Sequence, residues 1–162
     1  MTIDAEQTLP DATLLAMGPE GPEPVRLSDR LRSRKVVLFG LPGAYTGTCT
    51  TAHMPSFIRT RDGFAAKGVD EIICISVNDP FVLAAWGRET GADAAGITLL
   101  ADAEGAFTRA IGMEFSAPAR GLIGRAKRFA MVVEDGRVRS LHTEAGPGIC
   151  EATGGEALLA TL

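Results

Sequence analysis

The stretch KVVLFGLPGAYTGTC, residues 35–49, combines an apolar run, a loop-forming segment and a cysteine. The run KVVLFGL (35–41) is almost entirely apolar and rich in β-branched side chains, which is typical of a strand buried on both faces of a parallel sheet. The proline, glycines and threonines that follow predict a loop. After Cys49, apolar residues recur at helical spacing until Lys67 and Gly68, which predict a helix end. Cys49 is therefore predicted to lie at a strand-loop-helix junction.

The rest of the chain continues this alternation. Strands are predicted at EIICISV (71–77) and ITLLAD (97–102). Helices are predicted at FVLAAWGRET (81–90), GAFTRAIGM (105–113) and GEALLATL (155–162). A hairpin is predicted around the turn EDG (134–136). The segment GPEGPEP (18–24) is predicted to be a surface loop after a short extended segment. This order predicts an α/β sandwich, with a central mixed sheet whose first strands are parallel, flanking helices and an N-terminal extension.

Length and composition narrow the class of protein. With 162 residues, of which 46% are hydrophobic and 22% charged, the chain is expected to form one domain over residues 1–162. The net charge of −4 disfavours a nucleic-acid partner, which would need clustered basic residues. No run has the length and apolar character of a membrane span or a signal peptide, so we expect a soluble cytoplasmic protein with no membrane partner. One basic cluster, Arg120, Arg125, Lys127 and Arg128, is either a solvated loop or an anion site.

The cysteines favour reduced thiols. Cys49, Cys74 and Cys150 are an odd number and include no CxxC pair, which fits a reducing compartment better than a disulfide framework. The absence of CxxC also disfavours a disulfide oxidoreductase. These cysteines and the two histidines lie at no metal-ligand spacing, which disfavours a zinc site.

Cys49 has two interpretations. A cysteine reacts as its thiolate, and a helix N-terminus favours that form through unpaired backbone N–H groups and the helix dipole. Thr46 and Thr48 could donate hydroxyl hydrogen bonds to the sulfur or accept one from an incoming hydroxyl, and Pro42 would shield the pocket from water. Alternatively, Cys49 is a small buried hydrophobic residue, with the threonines as helix caps.

A family resemblance favours the reactive interpretation. The pattern Pro42-x-x-x-Thr46-x-x-Cys49 resembles the peroxidatic signature of peroxiredoxins. His53-Met54-Pro55, ISVNDPF, WGR, LLAD and KRFAMVVEDG follow in order, and the chain is similar to the type II, atypical two-cysteine branch. This resemblance implies a thioredoxin-like fold and no bound cofactor. One departure is Gly47, where the family usually has proline; glycine should loosen the loop.

The resemblance also implies a reaction. It suggests a thiol peroxidase that reduces hydrogen peroxide and alkyl hydroperoxides through a sulfenic acid on Cys49, in antioxidant defence and redox homeostasis. Pro42, Thr46 and the matching arginine, Arg128, would complete the pocket. Arg120, Arg125 and Lys127 are then expected to be solvated neighbours. A redox sensor, in which oxidation of Cys49 alters a partner contact, is a competing hypothesis.

The source of the recycling thiol stays open. Cys74 lies where plant-type relatives carry a second cysteine, but it is predicted to lie in a central strand. Cys150 lies in a glycine-rich loop near the position of the animal resolving cysteine. In a third route, external glutathione or glutaredoxin attacks the sulfenic acid directly; we favour this route, with thioredoxin as the alternative.

Several other residues have predicted supporting roles. His53 is expected to pack or hydrogen-bond rather than act as a base, and His142 is expected to be exposed. Trp86 is predicted to be core. The resemblance places the VNDPF and WGR segments near a homodimer contact, with Arg88 at the rim of the site. Tyr45 is expected to be a pocket wall or an interface residue.

Overall fold

The computed structural model describes residues 2–162 and contains a seven-stranded sheet beside a two-stranded one. The strands are β1 Thr13–Gly18, β2 Gly21–Arg26, β3 Lys35–Leu41, β4 Glu71–Ser76, β5 Thr98–Ala101, β6 Glu114–Ala117, β7 Leu122–Ala126, β8 Phe129–Glu134 and β9 Arg137–Thr143. The helices are α1 Leu27–Leu31, α2 Met54–Ala66, α3 Pro80–Thr90, α4 Ala106–Ala110 and α5 Gly155–Leu159. A π-helical turn, Cys49–His53, precedes α2, and a 3₁₀ turn, Pro118–Arg120, links β6 to β7.

The large sheet has the order β2-β1-β5-β4-β3-β8-β9. Strands β3, β4 and β5 are parallel to one another, and β8 and β9 form an antiparallel hairpin at the edge. The predicted strands, the closing hairpin and the mixed sheet are therefore confirmed.

Helices cover both faces of this sheet. Side chains of β3 alternate, so that Val37 and Phe39 face the layer beneath α2, α3 and α5, whereas Val36 and Leu38 face the layer that includes α1 and α4. Two apolar layers, one on each side of the sheet, bury every residue of β3 and β4 except the first of each strand. None of the helices described in residues 2–162 is long and apolar enough to span a membrane.

The N-terminal segment differs from the prediction. Within GPEGPEP only Pro19 and Glu20 form the predicted surface turn, because β1 ends at Gly18 and β2 begins at Gly21 and pairs along its whole length with β1. Pro22 and Pro24 lie within β2 and cannot donate to a neighbouring strand. The strand tolerates them because it lies at the edge of the sheet, a position that the local sequence does not reveal.

Candidate active site

Cys49 lies between the end of β3 and the start of α2. Helical backbone begins at Gly47, because the Thr46 carbonyl accepts from the Thr50 N–H at 3.1 Å. The next turn widens into a π turn, in which the Met54 N–H donates to the Cys49 carbonyl. The predicted strand-loop-helix junction is confirmed, and the Cys49 side chain is completely buried there.

Arg128, the residue before β8, contacts Cys49. Strand β8 runs antiparallel to β3 and pairs Phe129 with Gly40, so the residue before β8 lies beside the loop that follows β3. The Arg128 guanidinium is 2% exposed. Its Nη2 donates to the Cys49 sulfur at 3.4 Å and to the Pro147 carbonyl at 2.9 Å. The structure thus joins two predicted site residues that lie 79 positions apart in the sequence.

The environment of Arg128 is electrostatically incomplete without an anion. Its hydrogen-bond partners are a sulfur, a carbonyl oxygen and an imidazole nitrogen, and none of them is a carboxylate. Within residues 2–162 its Nε–H, also buried, has no hydrogen-bond partner. A buried guanidinium stays charged and is costly unless paired. A thiolate at Cys49 would supply the opposite charge at this position.

His53 holds the other side of the guanidinium. Its Nδ1 lies 2.9 Å from Arg128 Nη1, and its Nε2 lies 3.0 Å from the Thr153 carbonyl oxygen. Burial, followed by the charge of Arg128, lowers the pKa of His53 to about 3. The predicted packing and hydrogen-bonding role of His53 is confirmed.

Two side chains clamp the loop between β3 and Cys49. Arg125 Nη1 donates to the Pro42 carbonyl at 3.0 Å, and the Ala44 N–H donates to Asn78 Oδ1 at 3.0 Å. A Cβ on Gly43 would collide with Arg125 Nη1, and Gly43 has a φ of +153°. The prediction that Arg125 is a solvated neighbour is therefore wrong; Arg120 and Lys127 are exposed as expected.

The clamp residues were missed because each looks ordinary in sequence. Asn78 stands next to Asp79, which caps α3 by accepting from the Val82 N–H at 2.8 Å. A polar residue immediately after a strand next to β3 was the available signal, because ends of adjacent parallel strands meet at one edge of a sheet.

The threonine hydroxyls donate to backbone carbonyls rather than to sulfur. Thr46 Oγ1 donates to the Gly43 carbonyl at 2.7 Å, and Thr48 Oγ1 donates to the Gly148 carbonyl at 3.1 Å. The predicted donation to Cys49 is therefore wrong for both residues. Because the Thr46 donor is already used, its oxygen is left to act as an acceptor. Pro42 is buried in the same loop.

The other two cysteines have different surroundings. Cys74 is completely buried in β4, between Phe39 of β3 and Leu99 of β5. Burial, followed by the proximity of Cys49, raises its pKa well above the ordinary range. Cys150 is half-buried in the loop after β9, and burial also raises its pKa.

The loop that carries Cys150 is fastened to the site. Its Pro147, Gly148 and Thr153 carbonyls accept from the site side chains described above. The Glu144 carboxylate accepts from the Ala152 N–H at 2.8 Å, and His142 Nδ1 lies 2.7 Å from the Ala152 carbonyl oxygen. His142 is half-buried, so its predicted exposure is wrong.

The α3 helix contributes a core anchor and an exposed apolar surface. Trp86 is completely buried, as predicted, and its Nε1 donates to Thr50 Oγ1 at 3.0 Å. Phe81 of α3 is 63% exposed, and Tyr45, in the loop between β3 and Cys49, is 50% exposed. Arg88 is exposed on the same helix.

Comparisons with known proteins agree with this arrangement. The chain matches the Redoxin family over residues 4–159. It is 43% identical over 133 residues to mitochondrial peroxiredoxin-2F of Arabidopsis thaliana, a match that spans 82% of this chain and 66% of that protein. This chain belongs to the peroxiredoxins. The resemblance inferred from sequence is thus confirmed.

Further matches extend over nearly the whole of this chain. Chloroplastic peroxiredoxin-2E-2 of Oryza sativa is 40% identical over 163 residues, covering 98% of this chain and 72% of that protein. The crystal structure of reduced Prx3 from Vibrio vulnificus in complex with hydrogen peroxide is 40% identical, with a TM-score of 0.91, and the match covers 99% of each chain. The predicted thioredoxin-like fold class is confirmed by these peroxiredoxin neighbours.

Proposed function

We propose that the chain is a thiol-dependent peroxidase that reduces hydrogen peroxide and organic hydroperoxides through Cys49. The observation that carries the proposal is the buried contact of 3.4 Å between the Cys49 sulfur and Arg128 Nη2. A cation held against a sulfur at a helix N-terminus favours the nucleophilic thiolate. The Vibrio relative crystallised with hydrogen peroxide supports peroxide as the substrate class.

The proposed reaction is a displacement at oxygen. The Cys49 thiolate attacks one peroxide oxygen, the S–O bond forms as the O–O bond breaks, and the departing oxygen leaves as water or an alcohol after it takes up a proton. Arg128 would donate to the oxygens as negative charge moves between them. The Thr46 oxygen, whose own hydrogen is engaged by Gly43, would accept from the peroxide hydroxyl. The product is a sulfenic acid on Cys49, a reversible oxidation state.

Glutathione with glutaredoxin is the proposed reductant. One glutathione would attack the sulfenic sulfur, release water and leave a mixed disulfide, which a second thiol would reduce to regenerate Cys49. Burial of Cys74 inside the sheet supports a route without that residue. Cys150 lies in the loop fastened to the site, and thioredoxin is the alternative reductant if this cysteine forms a disulfide with Cys49.

Steady-state turnover tests both parts of the proposal. Cys49→Ser should abolish peroxide consumption, because serine has no comparable nucleophile. With glutathione and glutaredoxin, the wild type and Cys150→Ser should turn over at similar rates. Turnover with thioredoxin alone, lost in Cys150→Ser, would contradict the proposed reductant. Full activity of Cys49→Ser would contradict the peroxidase itself.

We also propose that the protein works as a cytoplasmic homodimer in antioxidant defence. The exposed Phe81 and Tyr45 side chains offer apolar area for a contact between copies. Light scattering after size-exclusion chromatography should report a dimer for the wild type and a monomer for Phe81→Glu. Ile123→Glu, at a residue that is 64% exposed, is the matched control and should leave the dimer intact.

A further inference from the structure

The histidine beside Cys49 has a definite protonation state. Arg128 has only donors, so His53 Nδ1 must accept from Nη1 across their distance of 2.9 Å. A carbonyl oxygen only accepts, so His53 Nε2 must donate to Thr153 across 3.0 Å. Both bonds exist together only when the ring is neutral and carries its proton on Nε2. A protonated ring would instead turn an N–H toward the guanidinium.

The ring is itself held in place. Its centroid lies 5.0 Å from that of Phe39 and 5.5 Å from that of Phe57, and both aromatic side chains are completely buried. His53 also ends the π turn that begins at Cys49. The same turn of backbone therefore carries the sulfur and the group that orients its cationic partner.

The guanidinium is fixed at two of its three nitrogens. His53 takes a hydrogen bond from Nη1, and the Pro147 carbonyl takes one from Nη2. The remaining Nη2 hydrogen then reaches the Cys49 sulfur. Because the guanidinium is planar and rigid, an acceptor on Nη1 determines where the Nη2 hydrogens point.

We propose that His53 is a positioning residue that orients Arg128 against the Cys49 sulfur, by accepting a hydrogen bond from Nη1 through its neutral Nε2–H tautomer. This inference rests on the proposed peroxidase function for its consequence in turnover. The geometry itself bears on the nucleophilicity of Cys49 toward any electrophile.

Two amide substitutions separate the two hydrogen bonds of His53. The oxygen of asparagine stands near the position of Nδ1 and can accept from Arg128, whereas the nitrogen of glutamine stands near Nε2 and can donate to Thr153. We expect His53→Gln to slow both peroxide oxidation and iodoacetamide alkylation of Cys49 by about tenfold to a hundredfold, because the cation is misplaced. We expect His53→Asn to stay within about threefold of the wild type.

The pH profile of alkylation distinguishes positioning from simple packing. In His53→Gln the rise in alkylation rate should move to higher pH, while thermal unfolding confirms a folded protein. Equal losses in both variants with an unchanged pH profile, or a wild-type rate in His53→Gln, would overturn the proposal. Alkylation needs no peroxide, so a wild type that alkylates as expected but ignores peroxide would contradict the peroxidase function alone.

The unsubstituted protein provides a second test. Nitrogen NMR of histidine-labelled wild type should show His53 as the neutral Nε2–H tautomer at neutral pH. The Nδ1–H tautomer, or a protonated His53 ring at neutral pH, would overturn the proposal even if the glutamine variant failed to fold.

Discussion

Cys49 and Cys74 are equally buried, yet their surroundings differ in the one respect that matters for reactivity. Both side chains are completely inaccessible and belong to the same apolar layer. Cys49 has a guanidinium nitrogen 3.4 Å from its sulfur and lies in the first turns of a helix. Cys74 lies between two strands, where burial raises its pKa far above the ordinary range. Burial alone therefore does not distinguish the proposed nucleophile from a structural thiol, whereas the polar partner does.

Replacing each of these cysteines should give the largest contrast. Cys49→Ser should lower the rate of peroxide consumption by more than about a thousandfold, since the nucleophile is lost. Cys74→Ala should keep the rate within about twofold and cost about 1 kcal/mol of unfolding free energy through lost packing. Coupled peroxidase assays and denaturant unfolding measure the two effects. A large rate loss in Cys74→Ala with intact stability would contradict the proposed difference between the two cysteines.

Removing the arginine geometry should bring the environment of Cys49 closer to that of Cys74. Arg128→Lys keeps the charge but loses the planar fork that contacts sulfur, carbonyl and imidazole together. We expect the rate constant for peroxide oxidation to fall by about a hundredfold to a thousandfold, the cost of removing one preorganised donor. Single-turnover kinetics followed by Trp86 fluorescence would measure this rate. Arg120→Lys, at an exposed position, is the control and should behave as the wild type.

The polar site should also make the fold sensitive to mild acid. His53 has an ordinary pKa of about 6.5 when unfolded and a pKa of about 3 in the folded protein. Between these values the unfolded chain binds the extra proton, so stability falls as pH decreases. Linkage gives a loss of about 2 kcal/mol between pH 8 and pH 5. Denaturant unfolding across this range should show a smaller loss in His53→Asn; an equal loss would exclude His53 as its source.

The smallest predicted effect concerns the loop that presents Cys49. Gly47 is the first helical residue, has open space where a Cβ would lie and has no left-handed φ, so proline fits there. Gly47→Pro should raise the unfolding free energy by about 0.4–1 kcal/mol by restricting the unfolded chain. Gly68 has equal space but a φ of +83°, so Gly68→Pro should destabilise the protein. Thermal unfolding of the two variants measures this difference, and a stabilised Gly68→Pro would contradict it.

Sequence patterns predicted the parts of the fold that depend on local periodicity. The runs that became β3, β4 and β5 are apolar because both faces of the sheet are covered, and Gly136, with a φ of +78°, fits the predicted turn between β8 and β9. Strand β2 was missed because its prolines disfavour a strand everywhere except at an edge. Its pairing with β1 depends on tertiary contacts that the local sequence does not reveal.

In the candidate site, too, some features could be predicted from the local sequence and others depend on tertiary contacts. Cys49 was predictable from its place between a strand and a helix, and the family resemblance indicated Arg128. The role of Arg125 was not predictable, because its hydrogen bond to Pro42 spans 83 residues and depends on the small sheet formed by β6 and β7. The threonine donors were misassigned for two reasons: Thr46 makes a local bond to Gly43, three residues earlier, and the Gly148 carbonyl that accepts from Thr48 comes close only after folding.

Site-resolved oxidation of the wild type tests the contrast between the two buried cysteines most directly. The protein would be treated with less than one equivalent of hydrogen peroxide in the presence of dimedone, and every cysteine-containing peptide would be quantified by mass spectrometry. We expect the first oxidation product, a dimedone adduct or a disulfide, always to contain Cys49, while Cys74 stays a free thiol. Early oxidation of Cys74 with Cys49 still reduced would contradict this expectation.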